Sequence, residues 1–593
     1  MKKRKLISIL GLVLGFMFVV SSCSSSDSSQ LDNPDFAIQP SDNVVLTNGT
    51  GNYDRETLYL SAMLPETLPV NSANRKDTLI IGIISPNGVF NPLLEESQYD
   101  SDVNDAMWAP LLEINYDGTI IEGLAYMPEI SEDGKTYTFT LKDDIKWQDG
   151  TPITSQDFDF TFKYIMDKTY TGRFERETLN VLGWEAYRDG TSTEIEGFKI
   201  IDDKTFSVTM ASPNAKTLAY FSKDLKPLAK HVYGADYVQG NAKDLDKFNR
   251  NPFGNGAYKF VSYKDGEEVT LVANENYYKG APKIKNLVFR VVNETNQMLL
   301  LENGDVDIMA STVAVTAENL LLLQQLGFIN ANIVEFLGYG YVAINHNEPI
   351  MQDLNVRKAL AYGLDRSSVV EAAFGGQANV IDIPQSTVSW AYPEDGDYTH
   401  YEYNPEKAKQ LLEEAGWKVG SDGIREKDGV KLSLKFLASS PNPVNDVLVP
   451  VMIDNYKAIG IELKAEQMEF RTLVDKQSEA KEGKFSYHLA FLAWSLDIDP
   501  DSTSTFASNG ANNKVGYSNP TVDKLLNDAL NEMDTTKRKE LYAQLYKEIS
   551  EDLPYLFLYQ RKDMNVYSSK VKGMEGGTPY RSFKDELEKI SFE

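Results

Sequence analysis

Three aspartates alternate with other residues behind a tryptophan in the segment Trp494-Ser-Leu-Asp497-Ile-Asp499-Pro-Asp501. Carboxylates at the first, third and fifth positions of a loop are how an EF-hand begins to ligate Ca²⁺. The pattern ends there, because Ser502 stands where the loop needs a glycine and Ser508 where it needs a glutamate. The segment therefore predicts no calcium site, and spacing alone leaves the chemistry of its carboxylates open.

The other side chains capable of chemistry form no recognised catalytic set. The sequence has no Gly-x-Ser-x-Gly elbow, His-Glu-x-x-His pair, Cys-x-x-Cys pair or Gly-x-x-x-x-Gly-Lys-[Ser/Thr] phosphate loop. The glycine pairs Gly254/Gly256 and Gly338/Gly340 lack the third glycine of a dinucleotide-binding loop and are predicted to form turns. No histidine has a second ligand at metal-binding spacing; the four are His231, His346, His400 and His488. We expect no enzyme, no metal site and no cofactor.

The single cysteine, Cys23, lies directly behind an export signal. A basic cluster precedes an apolar run from Leu6 to Val20. This run is shorter than the ~20 apolar residues of a membrane-spanning helix, so residues 1–22 are predicted to be a signal peptide. Val20-Ser-Ser-Cys23 resembles the lipobox of bacterial lipoproteins, which implies a diacylglycerol on Cys23 and an extracytoplasmic protein anchored to the cell membrane. The alternative is an ordinary secretory signal with an incidental cysteine.

The composition is that of a large, acidic globular protein. Hydrophobic residues make up 42% and aromatic residues 11% of 593 residues, which suggests roughly two to four domains with buried cores. The net charge of −28 argues against nucleic acid as a partner, because phosphate binding needs clustered lysine and arginine. No later apolar stretch reaches transmembrane length. We expect the body of the protein to lie outside the membrane.

The mature chain begins without regular structure and then turns to strand patterns. Polar residues at 24–33 predict a tether, and residues 34–76 give no assignment. The near-continuous apolar run after Asp77 predicts a strand buried on both faces. Alternation over Thr136–Leu141 and Thr205–Met210 predicts two half-buried strands.

Helix patterns are clearest in the second half of the chain. Apolar residues at helical spacing follow Pro405, with Asn404 as N-cap and Gly416 beyond the end. Two further helices are predicted, one after Pro520 and one before Pro554. Interleaved strands and helices indicate an α/β or α+β fold.

Six segments form a colinear series. The most diagnostic is Ile130–Phe158, in which a hairpin leads through Trp-Gln-Asp-Gly-Thr-Pro into a helix. The others are Asn251–Tyr258, Leu301–Ile308, Asn355–Arg366, Asn404–Trp417 and Gly516–Asp523. From about Asp77 onward the chain thereby resembles the oligopeptide and dipeptide binding proteins of ABC importers, solute-binding protein family 5. Each segment alone is a generic turn or helix, so the resemblance depends on the series.

The resemblance implies an α/β, periplasmic-binding-protein-like fold of two lobes joined by a hinge, with an additional subdomain on the first lobe. The implied boundaries are 23–76 for the lipidated cysteine, the tether and the unassigned segment, 77–105, 200–308 and 562–593 for lobe one, 106–199 for the subdomain, and 309–561 for lobe two. Crossovers near Met309 and Gln560 would be the hinge.

The resemblance also implies where a ligand binds. Family members place an aspartate three residues after a tryptophan in a Trp-x-x-Asp-x-x-Pro pattern, which Trp494 to Pro500 matches. Asp497 is predicted to bind the α-ammonium of a peptide, because burying that cation requires a paired carboxylate, and Trp494 to wall the pocket. Asp499 and Asp501 are fallbacks for Asp497. The alternative for Asp497 is a loop carboxylate or a helix cap.

Other cleft residues follow from position only. Tyr339, Tyr341 and Asn345 are candidates from the second lobe, and an interior strand is the alternative for all three. Phe491 stands where some oligopeptide binders have an arginine that helps to hold the ligand carboxylate. Recognition of the ligand's C-terminus is therefore unassigned, which would permit longer peptides or a ligand without a carboxylate.

We expect a monomeric, lipid-anchored binding protein that captures peptides in the interlobe cleft. Its partners would be the membrane and an ABC permease with two membrane subunits and ATPases. Two alternatives remain: a protein of the same fold that binds oligosaccharide, nickel or haem, and an extracellular hydrolase. Few histidines count against nickel and haem, the Trp494/Asp497 pair counts against sugar, and the missing catalytic set counts against a hydrolase.

Overall fold

The computed structural model describes residues 44–50, 57–95, 97–172, 174, 176–293, 295–574 and 577–592. The predicted signal peptide, Cys23 and the tether lie outside these residues. Strands β1 to β25 are, in order, Leu46–Asn48, Leu58–Leu60, Thr78–Ile83, Leu112–Ile114, Ile120–Glu122, Glu129–Ile130, Thr136–Thr140, Phe198–Ile200, Thr205–Thr209, Tyr258–Lys264, Glu268–Ala273, Asn286–Val291, Ile308–Ala310, Ile329–Glu335, Gly338–Ile344, Ala378–Val380, Lys418–Val419, Arg425–Lys427, Val430–Lys431, Ser433–Ser439, Glu462–Met468, Leu489–Ser495, Tyr555–Ser568, Val571–Lys572 and Ser591–Phe592.

Helices α1 to α17 are, in order, Val70–Asn74, Gln98–Met107, Ser155–Ile165, Arg176–Leu179, Trp184–Arg188, Thr217–Ala219, Lys230–Tyr233, Gln297–Glu302, Ala317–Leu326, Leu354–Tyr362, Arg366–Phe374, Pro405–Glu414, Pro443–Ala458, Phe470–Lys481, Thr503–Phe506, Pro520–Asn531 and Thr535–Asp552. A π-helical turn covers Tyr220–Asp224, and 3₁₀ turns cover Ala242–Phe248, Pro349–Gln352 and Phe583–Glu586. Within the described ranges, no helix is long and apolar enough to cross a bilayer.

A sheet of 14 strands among the described residues runs through both lobes. In the first lobe the order is β10-β11-β12-β3-β13, followed by the second half of β23. In the second lobe the first half of β23 pairs with β15, and β22, β20 and β21 follow. Strand β3 is parallel to β12 and β13, and its apolar run is buried as the sequence predicts: Leu79 and Ile81 enter one core and Ile80 the other.

The long strand β23 joins the two lobes. Its residues Tyr555–Tyr559 pair with β15, and Lys562–Ser568 pair with β14. Side chains alternate between the faces of the sheet, so Val566 and Tyr567 enter opposite cores of the first lobe. The predicted crossover near Gln560 therefore coincides with the change of partner.

The predicted crossover near Met309 is wrong. Met309 lies in β13, which pairs with β3 and with the second half of β23, both in the first lobe. Strand β14 also pairs with that half of β23, so the chain leaves the first lobe only at 336–337, between β14 and β15. The apolar residues of β13 and their spacing do not show which strands pair with it, because β3 and β23 both lie far away in the sequence.

The additional subdomain has its own four-stranded antiparallel sheet in the order β6-β7-β9-β8. Both predicted strands are confirmed as β7 and β9, which pair directly; β7 is half-buried as predicted, whereas in β9 Ser207 is buried as well as Phe206 and Val208. The predicted subdomain boundary at 199 is wrong, since it would separate β9 from β7, where Phe206 stacks on Phe139 with ring centroids 5.3 Å apart. The subdomain core continues to Leu245.

Two local patterns set the ends of the predicted helices. Asn404 caps α12 by accepting a hydrogen bond from the Lys407 backbone N–H at 3.0 Å, and Gly416 beyond it has φ +88°. Asn519 caps α16 in the same way, and α17 ends before Pro554. Of the unassigned N-terminal residues, β1 and β2 extend the first lobe's sheet beside β14.

Candidate ligand-binding site

Two adjoining cavities of about 450 and 300 Å³ lie where the lobes face each other. Residues from both sides line both cavities: Lys216, Tyr220 and Asp224 from the first-lobe side, and Ser495, Leu496 and Asp497 from the second lobe. The larger cavity also reaches the crossovers at Phe336 and Arg561. Concave sites of this size, at a junction between lobes, are where small ligands bind.

Trp494 forms one wall of the smaller cavity from the end of β22. Its ring stacks on Tyr341 with centroids 6.3 Å apart, and Tyr341 stacks on Tyr555 at 4.3 Å. Burial raises the pKa of both tyrosines, so both hydroxyls stay protonated. The indole is therefore held by a column of rings that continues into the core of the second lobe.

The predicted turn at Gly338 and Gly340 is wrong, because both residues lie inside β15. A Cβ at Gly338 would lie 2.2 Å from the carbonyl oxygen of Trp494, and one at Gly340 would lie 2.4 Å from the ring of Tyr559. These glycines allow close approach of neighbouring groups within a strand. Gly338 therefore helps to position Trp494.

Asp499 anchors the loop that follows Trp494. Both of its oxygens accept hydrogen bonds from Arg538, at 2.8 and 3.0 Å, and the pair is buried. Arg538 also donates to the Ala529 carbonyl at 2.9 Å and to the Tyr542 hydroxyl at 3.2 Å. Burial opposes the charge of Arg538, yet the bonds to Asp499 hold its pKa above the ordinary value. The fallback assignment of Asp499 to a ligand stays a prediction, and its carboxylate is already held by Arg538.

Asp501 connects the start of α15 to the first-lobe side. Its carboxylate accepts hydrogen bonds from the Thr503 backbone N–H at 3.2 Å and from the Thr503 hydroxyl at 2.5 Å. The ammonium of Lys216 lies 3.6 Å from the same carboxylate, and both side chains are buried. Asp501 therefore bonds the first residue of α15 and forms an ion pair between the lobes.

Asp497 is the aspartate of this loop whose side chain is open to the cavities. Its side chain is 63% exposed, compared with 8% for Asp499 and 2% for Asp501. The Lys216 ammonium is 4.0 Å from Asp497. The backbone of the loop is fixed just before it, because the Leu496 N–H donates to the Leu337 carbonyl at 2.9 Å. Asp497 thus presents a carboxylate to the space between the lobes.

The three candidates on and beyond β15 lie in different surroundings. Tyr339 lines the smaller cavity, although only 2% of it is exposed. Tyr341 supports Trp494 from behind. The Asn345 amide donates to the Tyr487 carbonyl at 2.9 Å and accepts from the Asn347 N–H at 3.2 Å. Tyr341 and Asn345 are not among the described residues that line either cavity; Tyr341 lies inside β15 and Asn345 directly after it, and a ligand contact by either stays a prediction.

The side chain of Phe491 lies in the core of the second lobe. Cations do line the larger cavity elsewhere: Lys223, Arg561, Arg581 and Lys584. Sequence reasoning missed these residues and Lys216, because no motif surrounds them and the fold brings them to the site from distant segments. Within the described residues, no cluster of three or more histidine, cysteine or acidic side chains could hold a metal ion.

Two α/β lobes that share paired strands and enclose a cavity define a two-lobed binding protein. The sequence profile described as "Bacterial extracellular solute-binding proteins, family 5 Middle" matches residues 119–516. The chain therefore belongs to this family of solute-binding proteins.

Relatives agree with this membership. The oligopeptide-binding protein AppA of Bacillus subtilis is 32% identical over 508 residues, covering 84% of this chain and 88% of AppA. The solved structure of AppA from Bacillus subtilis in complex with a nonapeptide superposes with a TM-score of 0.75 at 27% identity, covering 87% of this chain and 99% of that one. Heme-binding protein A of Haemophilus influenzae is 28% identical over 510 residues, covering 82% of this chain and 87% of that protein.

Proposed function

We propose that this protein captures peptides between its lobes and binds their amino terminus at Asp497. The observation that carries the proposal is the open carboxylate of Asp497, held beside Trp494 on the wall of the interlobe cavities. A protonated amino terminus presents three donors and one positive charge, and leaving it buried without an anion would cost several kcal/mol. Similarity to peptide-binding AppA supports peptide as the ligand class.

The lining suits ligands of varied sequence. Polar, charged and aromatic side chains line both cavities, and extended peptides bind largely through main-chain hydrogen bonds with water-filled pockets for side chains. Phe491 cannot hold a ligand carboxylate from within the core, and cations of the larger cavity such as Lys223 are the groups available for it.

The protein would act as a binding protein without catalysis, held on the extracytoplasmic face of the cell membrane by lipid on Cys23. It would deliver its ligand to an ABC permease that recognises the closed conformation of the lobes. A Cys23→Ser variant should move from the membrane fraction to the soluble fraction after export, while keeping its peptide affinity. Retention in the membrane fraction would refute the lipid anchor and leave peptide capture standing.

The decisive experiment compares one peptide with a free amino terminus and its N-acetylated form on the mature chain. Acetylation removes the positive charge and with it the hydrogen-bonded ion pair. Wild type should therefore bind the free form about ten- to a hundredfold more tightly than the acetylated form. Asp497→Asn, which keeps the shape of the side chain, should reduce this ratio to about one. Asp395→Asn is the matched control, because Asp395 is an exposed aspartate elsewhere in the second lobe.

Native mass spectrometry of the same samples identifies what is bound. A series of bound masses that fit intact peptides, unchanged after incubation with the protein, supports a binding protein. Shortened peptides would indicate a hydrolase. A single bound mass equal to haem, with no peptide binding by folded wild type, would replace the proposal with the second candidate, which similarity to heme-binding protein A favours.

A further inference from the structure

Lys216 stands out among the residues that line the cavities, because it is a first-lobe-side cation placed against second-lobe carboxylates. Its ammonium is 3.6 Å from Asp501 and 4.0 Å from Asp497, and 7% of its side chain is exposed. The ammonium also lies 4.9 Å from the centre of the Tyr220 ring. Lys216 therefore brings a fixed positive charge to the place proposed for the ligand's amino terminus.

The segment around Lys216 is built to hold this position. The Lys216 N–H donates to the Asn214 side chain at 2.9 Å, and Asn214 donates to the Thr178 carbonyl at 2.6 Å. The Ala215 N–H donates to the Leu530 carbonyl at 2.9 Å, which joins the segment to the end of α16 in the second lobe. Because contacts with both lobes hold this segment, the charge of Lys216 stays at one position and acts electrostatically on a bound ligand.

Lys216 lines both cavities, so it borders whichever one the first side chain of a peptide enters from Asp497. The charges that line the smaller cavity are the carboxylates of Asp224, Asp497 and Asp501 and the ammonium of Lys216, while Asp499 is paired with Arg538. Removing Lys216 would make this surrounding more negative by one unit. A basic first side chain would gain from that change, and an uncharged one would not.

We propose that Lys216 is a specificity-determining residue of the peptide site, whose charge weakens binding of peptides with a basic first side chain relative to those with an uncharged one. The inference rests on the proposed peptide function and adds the chemistry of the ligand's first residue. The inference predicts how one variant changes the ratio of the affinities for a peptide with a basic first side chain and one with an uncharged first side chain. The cost of closing the lobes without Lys216 is common to both peptides and cancels in that ratio.

The test uses two pentapeptides with free amino termini that differ only in having lysine or leucine first, titrated calorimetrically at one ionic strength. Lys216→Met should shift the affinity ratio about tenfold toward the lysine peptide, as expected for one unit charge in a partly exposed site. Lys216→Arg keeps the charge and should stay within about twofold of wild type. Lys259→Met removes a lysine of β10 that is paired with Glu275, and it should leave the ratio unchanged.

An unchanged ratio in Lys216→Met would overturn the role of Lys216 while peptide capture stands. The same shift in Lys259→Met would also overturn it, because the effect would then follow net charge alone. If folded wild type binds neither pentapeptide, both the inference and the proposed function fail.

Discussion

The ion pair between Arg538 and Asp499 offers the sharpest test of how the site is held. Arg538→Met removes both hydrogen bonds to Asp499 and the bond to the Ala529 carbonyl, while the carboxylate keeps its charge at 8% exposure. Breaking a buried pair by removing one partner costs about 3–5 kcal/mol, since the remaining carboxylate loses its cation and keeps only the hydrogen bond from the Asp501 backbone N–H at 3.1 Å. The loss should appear in the unfolding of the second lobe, which contains both residues.

The assay is urea unfolding followed by circular dichroism, with calorimetry to separate transitions of a protein this large. Arg538→Met combined with Asp499→Asn should recover most of the loss, because no buried charge then remains. Arg471→Met changes an exposed arginine of α14 in the same lobe and should leave the transitions unchanged.

Two results would refute this reasoning. A loss below about 1 kcal/mol in Arg538→Met would mean that water reaches Asp499 without cost. A double variant as unstable as Arg538→Met would mean that the arginine acts through packing. Arg538→Met should also weaken peptide binding, because Asp499 lies two residues from Asp497 and fixes the same loop.

Three further outcomes are expected. Burial lowers the pKa of His346 from 6.5 to about 4, so below pH 6.5 the unfolded chain binds a proton that the folded protein refuses. The free energy of unfolding should therefore fall by up to about 3 kcal/mol between pH 6.5 and 4, and fall less in His346→Gln, as a urea series would show. Gly338→Ala places a Cβ 2.2 Å from the Trp494 oxygen and should lower both the melting temperature and peptide affinity; an unchanged protein would contradict the close approach. Asn404→Ala removes the N-cap of α12 and should cost about 1 kcal/mol, whereas Asn404→Asp should not.

Local elements could be predicted from the sequence because their causes are local. The apolar run of β3, the alternation in β7 and the cap at Asn404 each depend on residues within a few positions. The resemblance gave the two lobes and drew attention to Trp494 and Asp497, which both border a cavity, although binding of an ammonium there stays a prediction.

Boundaries and the roles of neighbouring aspartates could not be predicted, because they depend on distant partners. Met309 belongs to the first lobe because β3 and the second half of β23, both far away in the sequence, pair with its strand. The spacing of Asp497, Asp499 and Asp501 does not distinguish their partners. In the structure Arg538 pairs with Asp499, whereas Lys216 lies near Asp497 and Asp501. Asn345 is a candidate from its position alone, and the sequence does not show that its amide donates to the Tyr487 carbonyl.

The pairings of the shared strand β23 predict an order of assembly during synthesis, in which the second lobe can complete its sheet before the first. Strand β14 pairs with residues 562–568 and β13 with residues 565–567, so the first lobe's sheet stays incomplete until these residues have been synthesised. The second lobe needs only the first half of β23, and its formation brings Glu335 and Gln560, 225 positions apart, into hydrogen-bond contact. That contact closes a loop whose entropic cost is about 5 kcal/mol. A nascent chain that stops before residue 562 would thus carry a finished second lobe and a first lobe with two strands still lacking a neighbour.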